Sequence, residues 1–136
     1  MTQDTLLLLT EAVKARRCCA IRYRDQKQIR IVEPHVIYRD VKGEVIVDCY
    51  QTKGYSSANR TPPFWRPFRL QKLGAVALLR DTFIPRRSEG FNPTRVRYRK
   101  DLICVVADRD TSFIYPFEQN SAEPVGPARP RVTLRR

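Results

Sequence analysis

Arginine and aromatic residues stand close together at several points of this sequence, and their side chains have complementary chemistry. Arg66 follows Trp65 directly, and Tyr23 lies shortly before Arg30. A guanidinium group presents planar N–H donors that suit phosphate oxygens. A flat aromatic ring offers a surface on which a nucleobase stacks. We therefore expect Arg30 and Arg66 to bind phosphate, with Tyr23, Tyr50 and Trp65 supplying stacking surfaces.

The overall charge agrees with this expectation. The chain of 136 residues carries 26 Lys and Arg against 14 Asp and Glu, a net charge of +12. Such a surplus on a small domain creates a positive field that attracts nucleic acid and other anions. The alternative is that the arginines are solvated surface groups, while aromatic and apolar residues such as Phe68 and Leu70 form an ordinary core.

Metal, redox and membrane chemistry find little support in the sequence. The single histidine, His35, cannot complete a metal site, and the cysteines show no metal-ligand spacing. We expect buried, reduced thiols of a cytoplasmic protein at Cys18, Cys19, Cys49 and Cys104. The run Leu6–Leu9 is too short to span a membrane and lacks the basic start of a signal peptide. No cofactor, metal or membrane partner is expected.

A nuclease is the one enzyme class with a partial signature. Asp40, a turn, a hydrophobic strand and then Gln51 and Lys53 loosely match the metal-dependent PD-(D/E)xK arrangement. In that arrangement carboxylates hold a divalent cation and a lysine orients the attacking water. The flanking helices of such enzymes are not evident after Lys53, and the sequence contains no nucleophile elbow or phosphate-binding glycine loop. We therefore predict a protein that is not an enzyme.

Hydrophobic periodicity predicts a helix followed by one small antiparallel sheet. Asp4 is a good N-cap for a helix over 4–17. Alternation between turn residues indicates strands, and these cover 18–24, 28–32, 44–51, 65–73, 75–79 and 102–107. Pro34 is expected to end or bend the second strand, and Pro67 indicates an edge strand or bulge. The polar stretch 52–63 is expected to be a long loop.

The second half of the chain is less regular. If its segment is extended, Arg95, Arg97 and Arg99 project from one side as a basic comb. From Pro116 onward, repeated prolines and a basic end indicate a flexible tail. We therefore divide the chain into a domain over 1–107, with its core at 18–79, and a basic, proline-rich tail over 108–136.

Four stretches of the chain, in order, resemble those of the WYL domain. They are Ile21–Arg24, Arg30–His35, Val45–Gln51 and Trp65–Leu73. The resemblance implies a small Sm/SH3-like β-barrel with an N-terminal α-helix, in the compact stand-alone bacterial form. The Trp-Tyr-Leu triplet that names the family is replaced here by Val45-Ile46-Val47, whose β-branched side chains suit a strand.

What the resemblance implies is a ligand-sensing module of bacterial regulators and phage-defence systems. It implies binding of single-stranded nucleic acid or a nucleotide-like anion through a basic groove. The residues that match the family's polar positions are Tyr23, Arg24, Arg30, His35, Arg66 and Arg69. His35 has a second reading, as a hydrogen-bonded structural group. An alternative function is protein interaction, as a homodimer or with a regulatory partner, through a strand edge or the 52–63 loop.

Overall fold

A computed structural model describes residues 2–56 and 59–107 of the chain. Its helices and strands, in order, are α1 (Thr2–Ala15), β1 (Arg17–Tyr23), β2 (Arg30–Arg39), β3 (Val45–Gly54), β4 (Phe64–Arg69), β5 (Leu73–Thr82), α2 (Val96–Arg99) and β6 (Leu102–Val105). The predicted helix and the predicted extra strand over 102–107 are both confirmed. The predicted tail over 108–136 lies outside the described residues.

The strands form one antiparallel sheet, as the alternation predicted. Its order is β4-β3-β2-β1-β5, and β6 pairs with the second half of β2. The fold is therefore mainly β, with α1 packed against β1, β2 and β5. Leu9, Ala12 and Val13 of α1 are fully buried there. No helix among the described residues is long and apolar enough to cross a bilayer.

Of the two outcomes expected at Pro34, that it ends its strand or bends it, the first does not occur. β2 runs through it as a single ten-residue strand. Pro34 pairs with Cys49 and Val36 pairs with Asp48, so His35 is an extra residue opposite no partner in β3. Such a β-bulge lets a strand continue past a residue that cannot donate to the ladder. The bulge also places His35 in the interior.

The predicted strand over 65–73 is wrong at its C-terminal end. β4 stops at Arg69, and a 3-10 turn over Leu70–Lys72 leads into β5. β4 and β5 are the two outer strands of the sheet order, yet only these three residues join them. The sheet is therefore strongly curled. Within the described part of the chain no hydrogen-bond ladder joins β4 to β5, so the sheet is not closed.

The two faces of the sheet have different surroundings. Residues paired across antiparallel strands lie on the same face, so Arg66 shares a face with Cys49 and Phe68 with Val47. The opposite face is covered by residues 83–106, through side-chain contacts to Glu33, His35, Asp48, Tyr50 and Trp65. The four cysteines are buried and free of disulfides, as predicted.

The predicted basic comb does not exist as such. Val96–Arg99 is one turn of helix, so Arg95, Arg97 and Arg99 do not project from one side of a strand. The Arg97 guanidinium forms an ion pair with Asp48, at 3.2 Å between Nη2 and Oδ2. The predicted long loop is also shorter than expected, because β3 extends to Gly54.

Candidate anion-binding site

Arg30, at the start of β2, is the most unusual buried residue of the domain. It is 1% exposed, and its guanidinium carbon lies 5.1 Å from the ring centre of Tyr23 and 5.6 Å from that of Phe68. Its Nη1 donates to the side-chain oxygen of Gln51 at 3.3 Å. Its Nη2 reaches the side-chain oxygen of Gln26 at 3.5 Å, the outer limit of a hydrogen bond.

Tyr55 lies over the same guanidinium because of the backbone that precedes it. Gly54 pairs with Arg30 and has a φ of 100°, a conformation that side chains other than hydrogen disfavour. A Cβ at Gly54 would lie 2.4 Å from the carbonyl oxygen of Ile29. The backbone N–H of Tyr55 then donates to that carbonyl at 3.2 Å. As a result, the Tyr55 ring centre is 5.5 Å from the Arg30 guanidinium carbon.

Arg66 brings a second guanidinium to the same place. It lies on the edge strand β4, where Pro67 is accommodated as expected, and it shares a face with Phe68 as predicted. The guanidinium carbon of Arg66 is 5.7 Å from the Phe68 ring centre. We call Tyr23, Arg30, Tyr55, Arg66 and Phe68 the arginine cluster. Burial, and then the charge of Arg66, lower the pKa of Arg30 from its usual value.

Neither guanidinium of the arginine cluster is neutralised by a carboxylate of the described residues. Ion pairs with buried or half-buried carboxylates are formed by other arginines: Arg69 with Glu44, Arg86 with Glu33 and Arg97 with Asp48. The Nε atoms of Arg30 and Arg66 are both buried, and neither has a hydrogen-bond partner within residues 2–56 and 59–107. Buried charges are normally paired. The arginine cluster therefore carries positive charge that no carboxylate of the described residues compensates.

His35 is a structural residue in this fold. It is fully buried, between the rings of Trp65, Phe83 and Phe91 at centre-to-centre distances of 4.9 Å each. Its Nδ1 lies 2.8 Å from the Glu33 carbonyl oxygen, and its Nε2 accepts from the backbone N–H of Arg86 at 3.1 Å. Burial lowers the pKa of His35 to about 4. The neutral ring thus ties β2 to the segment that covers this face.

The other predicted site residues do not join the arginine cluster. Arg69 is on the opposite face of β4 from Arg66 and is bound to the Glu44 carboxylate. Arg24 is exposed just beyond the end of β1, where its backbone N–H donates to the Lys72 carbonyl at 2.9 Å. Tyr50 and Trp65 pair with each other on the covered face, away from Arg30.

The residues of the nuclease signature are far apart. The Asp40 side chain accepts from the backbone N–H groups of Lys42 and Glu44, and so caps the turn before β3. Lys53 is near the far end of β3, about 30 Å away at roughly 3.3 Å per residue. Gln51 is fully buried and bound to Arg30. The described residues contain no group of three or more side chains that could hold a metal ion.

Sequence reasoning missed three residues of this site: Gln26, Gln51 and Tyr55. Gln51 carried a usable signal, since a polar residue continuing the buried positions Val47 and Cys49 along one strand face requires a polar partner. Comparison with protein-family models, curated proteins and solved structures found no match to this chain.

Proposed function

We propose that the arginine cluster binds a phosphate-bearing ligand, single-stranded nucleic acid or a nucleotide-like anion. One observation carries the proposal: Arg30 and Arg66 hold their guanidinium groups over the same ring, Phe68, without a carboxylate partner among the described residues. Such an arrangement stores repulsion that a bound anion relieves. Charge-assisted hydrogen bonds from guanidinium to phosphate are among the strongest available to a protein.

The two arginines have different tasks in this proposal. Arg66 is half-buried on an edge strand and is accessible to a ligand. Arg30 lies deeper, and its weakest contact, to Gln26, is the one a ligand oxygen would replace. Tyr55 is 37% exposed and presents an aromatic ring beside Arg30, where a nucleobase can stack.

The same proposal implies a ligand-sensing role for the domain. A curled sheet whose outer strands are joined by three residues is compatible with an Sm/SH3-like barrel of WYL type. Three of the four resembling stretches supply residues of the arginine cluster, namely Tyr23, Arg30, Arg66 and Phe68. On this basis the domain is a ligand-sensing regulatory module, and the ligand's charge is the signal it recognises.

Fluorescence anisotropy with labelled single-stranded DNA and RNA, from low to high salt, tests this function. The affinity should fall linearly on a log–log plot, because each phosphate contact releases counterions. Arg66→Met should weaken binding roughly tenfold or more and reduce the salt slope by about 1. Arg69→Met is the matched control, since it removes the same charge from the opposite face of β4. Its affinity should remain within about twofold of the wild-type value.

Arg30 needs a different substitution. Arg30→Ala would open a cavity beneath Tyr23 and Phe68, so Arg30→Met, which keeps the aliphatic volume, is the informative change. We expect a folded protein that has lost most of its affinity. Equal effects of Arg66→Met and Arg69→Met would show that only net charge matters and would remove the arginine cluster from the site. Salt-insensitive binding to a protein would favour the interaction-module alternative instead.

A further inference from the structure

The loop between β3 and β4 carries an arginine, Arg60, that lies outside the arginine cluster. Its guanidinium carbon is 4.3 Å from the ring centre of Phe64, the first residue of β4. Phe64 is 6% exposed, whereas Arg60 is exposed and forms no ion pair with any residue that the structure describes. Arg60 therefore covers a buried ring while its own N–H donors remain open to solvent.

Phe64 connects Arg60 to the arginine cluster. It pairs with Gln51 across β4 and β3, so these two side chains lie on one face of the sheet. Gln51 is fully buried, and its side-chain oxygen accepts from Arg30 at 3.3 Å. Arg66 follows Phe64 by two residues along β4 and so shares this face. The guanidinium groups of Arg30, Arg60 and Arg66 are therefore all associated with the same face of the sheet.

The backbone of the loop holds Arg60 in this position. The N–H of Asn59 donates to the Ser56 carbonyl oxygen at 3.3 Å, and the N–H of Arg60 donates to the Ser56 hydroxyl oxygen at 3.1 Å. Asn59 has a φ of 58°, a left-handed conformation that Asn tolerates better than most residues. Earlier in the loop, the Tyr55 carbonyl accepts from the Gln51 side chain at 2.8 Å. Because the loop is held at both points, ordering Arg60 for a ligand costs less conformational entropy than ordering a free arginine.

The two ends of β4 separate the positive charges. Phe64 and Phe68 are four residues apart, about 13 Å at roughly 3.3 Å per residue. Arg60 lies over Phe64, whereas the guanidinium carbons of Arg30 and Arg66 are 5.6 and 5.7 Å from the ring centre of Phe68. A phosphate bound between Arg30 and Arg66 thus lies at one end of this interval, and Arg60 lies at the other. A ligand that contacts all three arginines needs more than one phosphate.

We propose that Arg60 binds a second phosphate of a ligand whose first phosphate is bound by Arg30 and Arg66. The ligand is then a single-stranded oligonucleotide rather than a mononucleotide. The phosphates of a nucleoside triphosphate are linked directly to one another and lie too close together to span the interval, whereas those of a strand are separated by sugars. The inference rests on the proposed function and identifies the class of its ligand.

Two ligands test the inference. Anisotropy of a labelled oligo-dT of about eight nucleotides, within the site sizes of folds that bind single strands, measures binding of a strand to the full chain. Competition against that strand measures binding of thymidine triphosphate, whose charges are concentrated at one point. The unaltered chain should bind the strand about tenfold or more tightly than the triphosphate, because more phosphates are contacted.

Arg60→Met removes the charge and keeps an unbranched side chain over Phe64. We expect it to weaken binding of the strand about fivefold and to reduce its salt slope by about 1, as for the loss of one phosphate contact. Its affinity for thymidine triphosphate should remain within about twofold of the wild-type value, since solvent and salt screen a distant exposed charge. Arg66→Met should weaken both ligands.

Arg80→Met is the matched control. Arg80 is exposed, like Arg60, and lies near the end of β5. It is about 23 Å, at roughly 3.3 Å per residue, from Leu73, which pairs with Tyr23 of the arginine cluster. Removing this charge should change the affinity for the strand by less than about twofold. Arg60→Lys, which keeps a positive charge in the loop, should retain most of the salt slope.

The outcomes distinguish this inference from the proposed function. Equal effects of Arg60→Met and Arg80→Met on the strand would show that Arg60 only covers Phe64, and would overturn the inference. An equal loss of affinity for strand and triphosphate in Arg60→Met would also overturn it, since one phosphate would then contact all three arginines. In both cases weaker binding by Arg66→Met would leave the arginine cluster in place.

Two further results concern the unaltered chain. Absence of binding of both ligands at low salt would overturn both proposals. Equal affinity for the strand and the triphosphate would overturn the two-phosphate site alone. This comparison decides the question even if Arg60→Met does not fold.

Discussion

The guanidinium carbons of Arg30 and Arg66 lie 5.6 and 5.7 Å from the ring centre of Phe68. Two positive charges therefore converge on one ring in a partly buried region, and the pKa of Arg30 is lowered by burial and by Arg66. The described part of the chain supplies no carboxylate to compensate them. A domain under selection for stability alone would be expected to pair or remove one of these charges, and the proposed anion ligand would supply the missing partner.

The first prediction concerns the ligand-free protein. Arg66→Met should raise the free energy of unfolding by about 1 kcal/mol, because it removes a buried, unpartnered Nε and the repulsion of Arg30. Urea unfolding at low salt measures this change. Arg69→Met, which breaks the ion pair with Glu44, should instead lower stability slightly. Stabilisation together with weaker oligonucleotide binding would identify Arg66 as a functional residue, whereas a destabilised Arg66→Met would argue that the repulsion is small.

The second prediction concerns pH and His35. Its pKa is lowered from 6.5 to about 4 in the folded protein, so the unfolded chain takes up the proton first as the pH falls. The stabilising contribution is complete above pH 6.5 and is lost progressively down to about pH 4. At 1.36 kcal/mol per pH unit, the loss between pH 6.5 and pH 5 is about 2 kcal/mol.

Urea unfolding at several pH values in this window measures the effect. His35→Gln is the control, since the chain then has no histidine to titrate. Its free energy of unfolding should be lower throughout and nearly constant between pH 6.5 and pH 5. The same pH dependence in both proteins would show that His35 is not the group responsible.

The third prediction concerns the ion pair that holds residues 83–106 over the sheet. Both carboxylate oxygens of Glu33 accept from Arg86, at 2.8 and 2.9 Å, and Glu33 is 5% exposed. Arg86→Met should cost about 2 kcal/mol, since it leaves a buried carboxylate without its partner. Part of that cost is lost packing, because Arg86 also lies over the Tyr50 ring.

A double-mutant cycle separates the two contributions. Glu33→Gln combined with Arg86→Met should recover part of the loss, with a coupling free energy of about 1–2 kcal/mol. The more exposed pair between Arg69 and Glu44 provides the comparison and should show a coupling below about 1 kcal/mol. A Glu33–Arg86 coupling near zero would mean that packing alone secures residues 83–106.

Local sequence pattern was sufficient to predict most of the fold. The period-two alternation along Val45–Gln51 predicted β3, and the helix pattern predicted α1 to within two residues. These predictions succeed because side-chain direction along one element depends only on its own periodicity. The comb of Arg95, Arg97 and Arg99 failed for the complementary reason. Val96 and Tyr98 alternate with these arginines, but so short a segment suits either a strand or one helical turn. The contacts of the buried Tyr98 with Asp48 and Phe91 accompany the helical turn observed there.

Only the tertiary structure shows which residues form the candidate site. Residue types alone selected Arg30 and Arg66, since guanidinium groups beside aromatic residues suit phosphate. Only strand pairing showed that they meet at Phe68, that Arg69 and His35 do not join them, and that Tyr55 does. The bulge at His35 turns that residue into the interior, and the positive φ at Gly54 directs Tyr55 toward Arg30. Contacts between distant residues depend on register and bulges across several strands, which no local pattern of residues specifies.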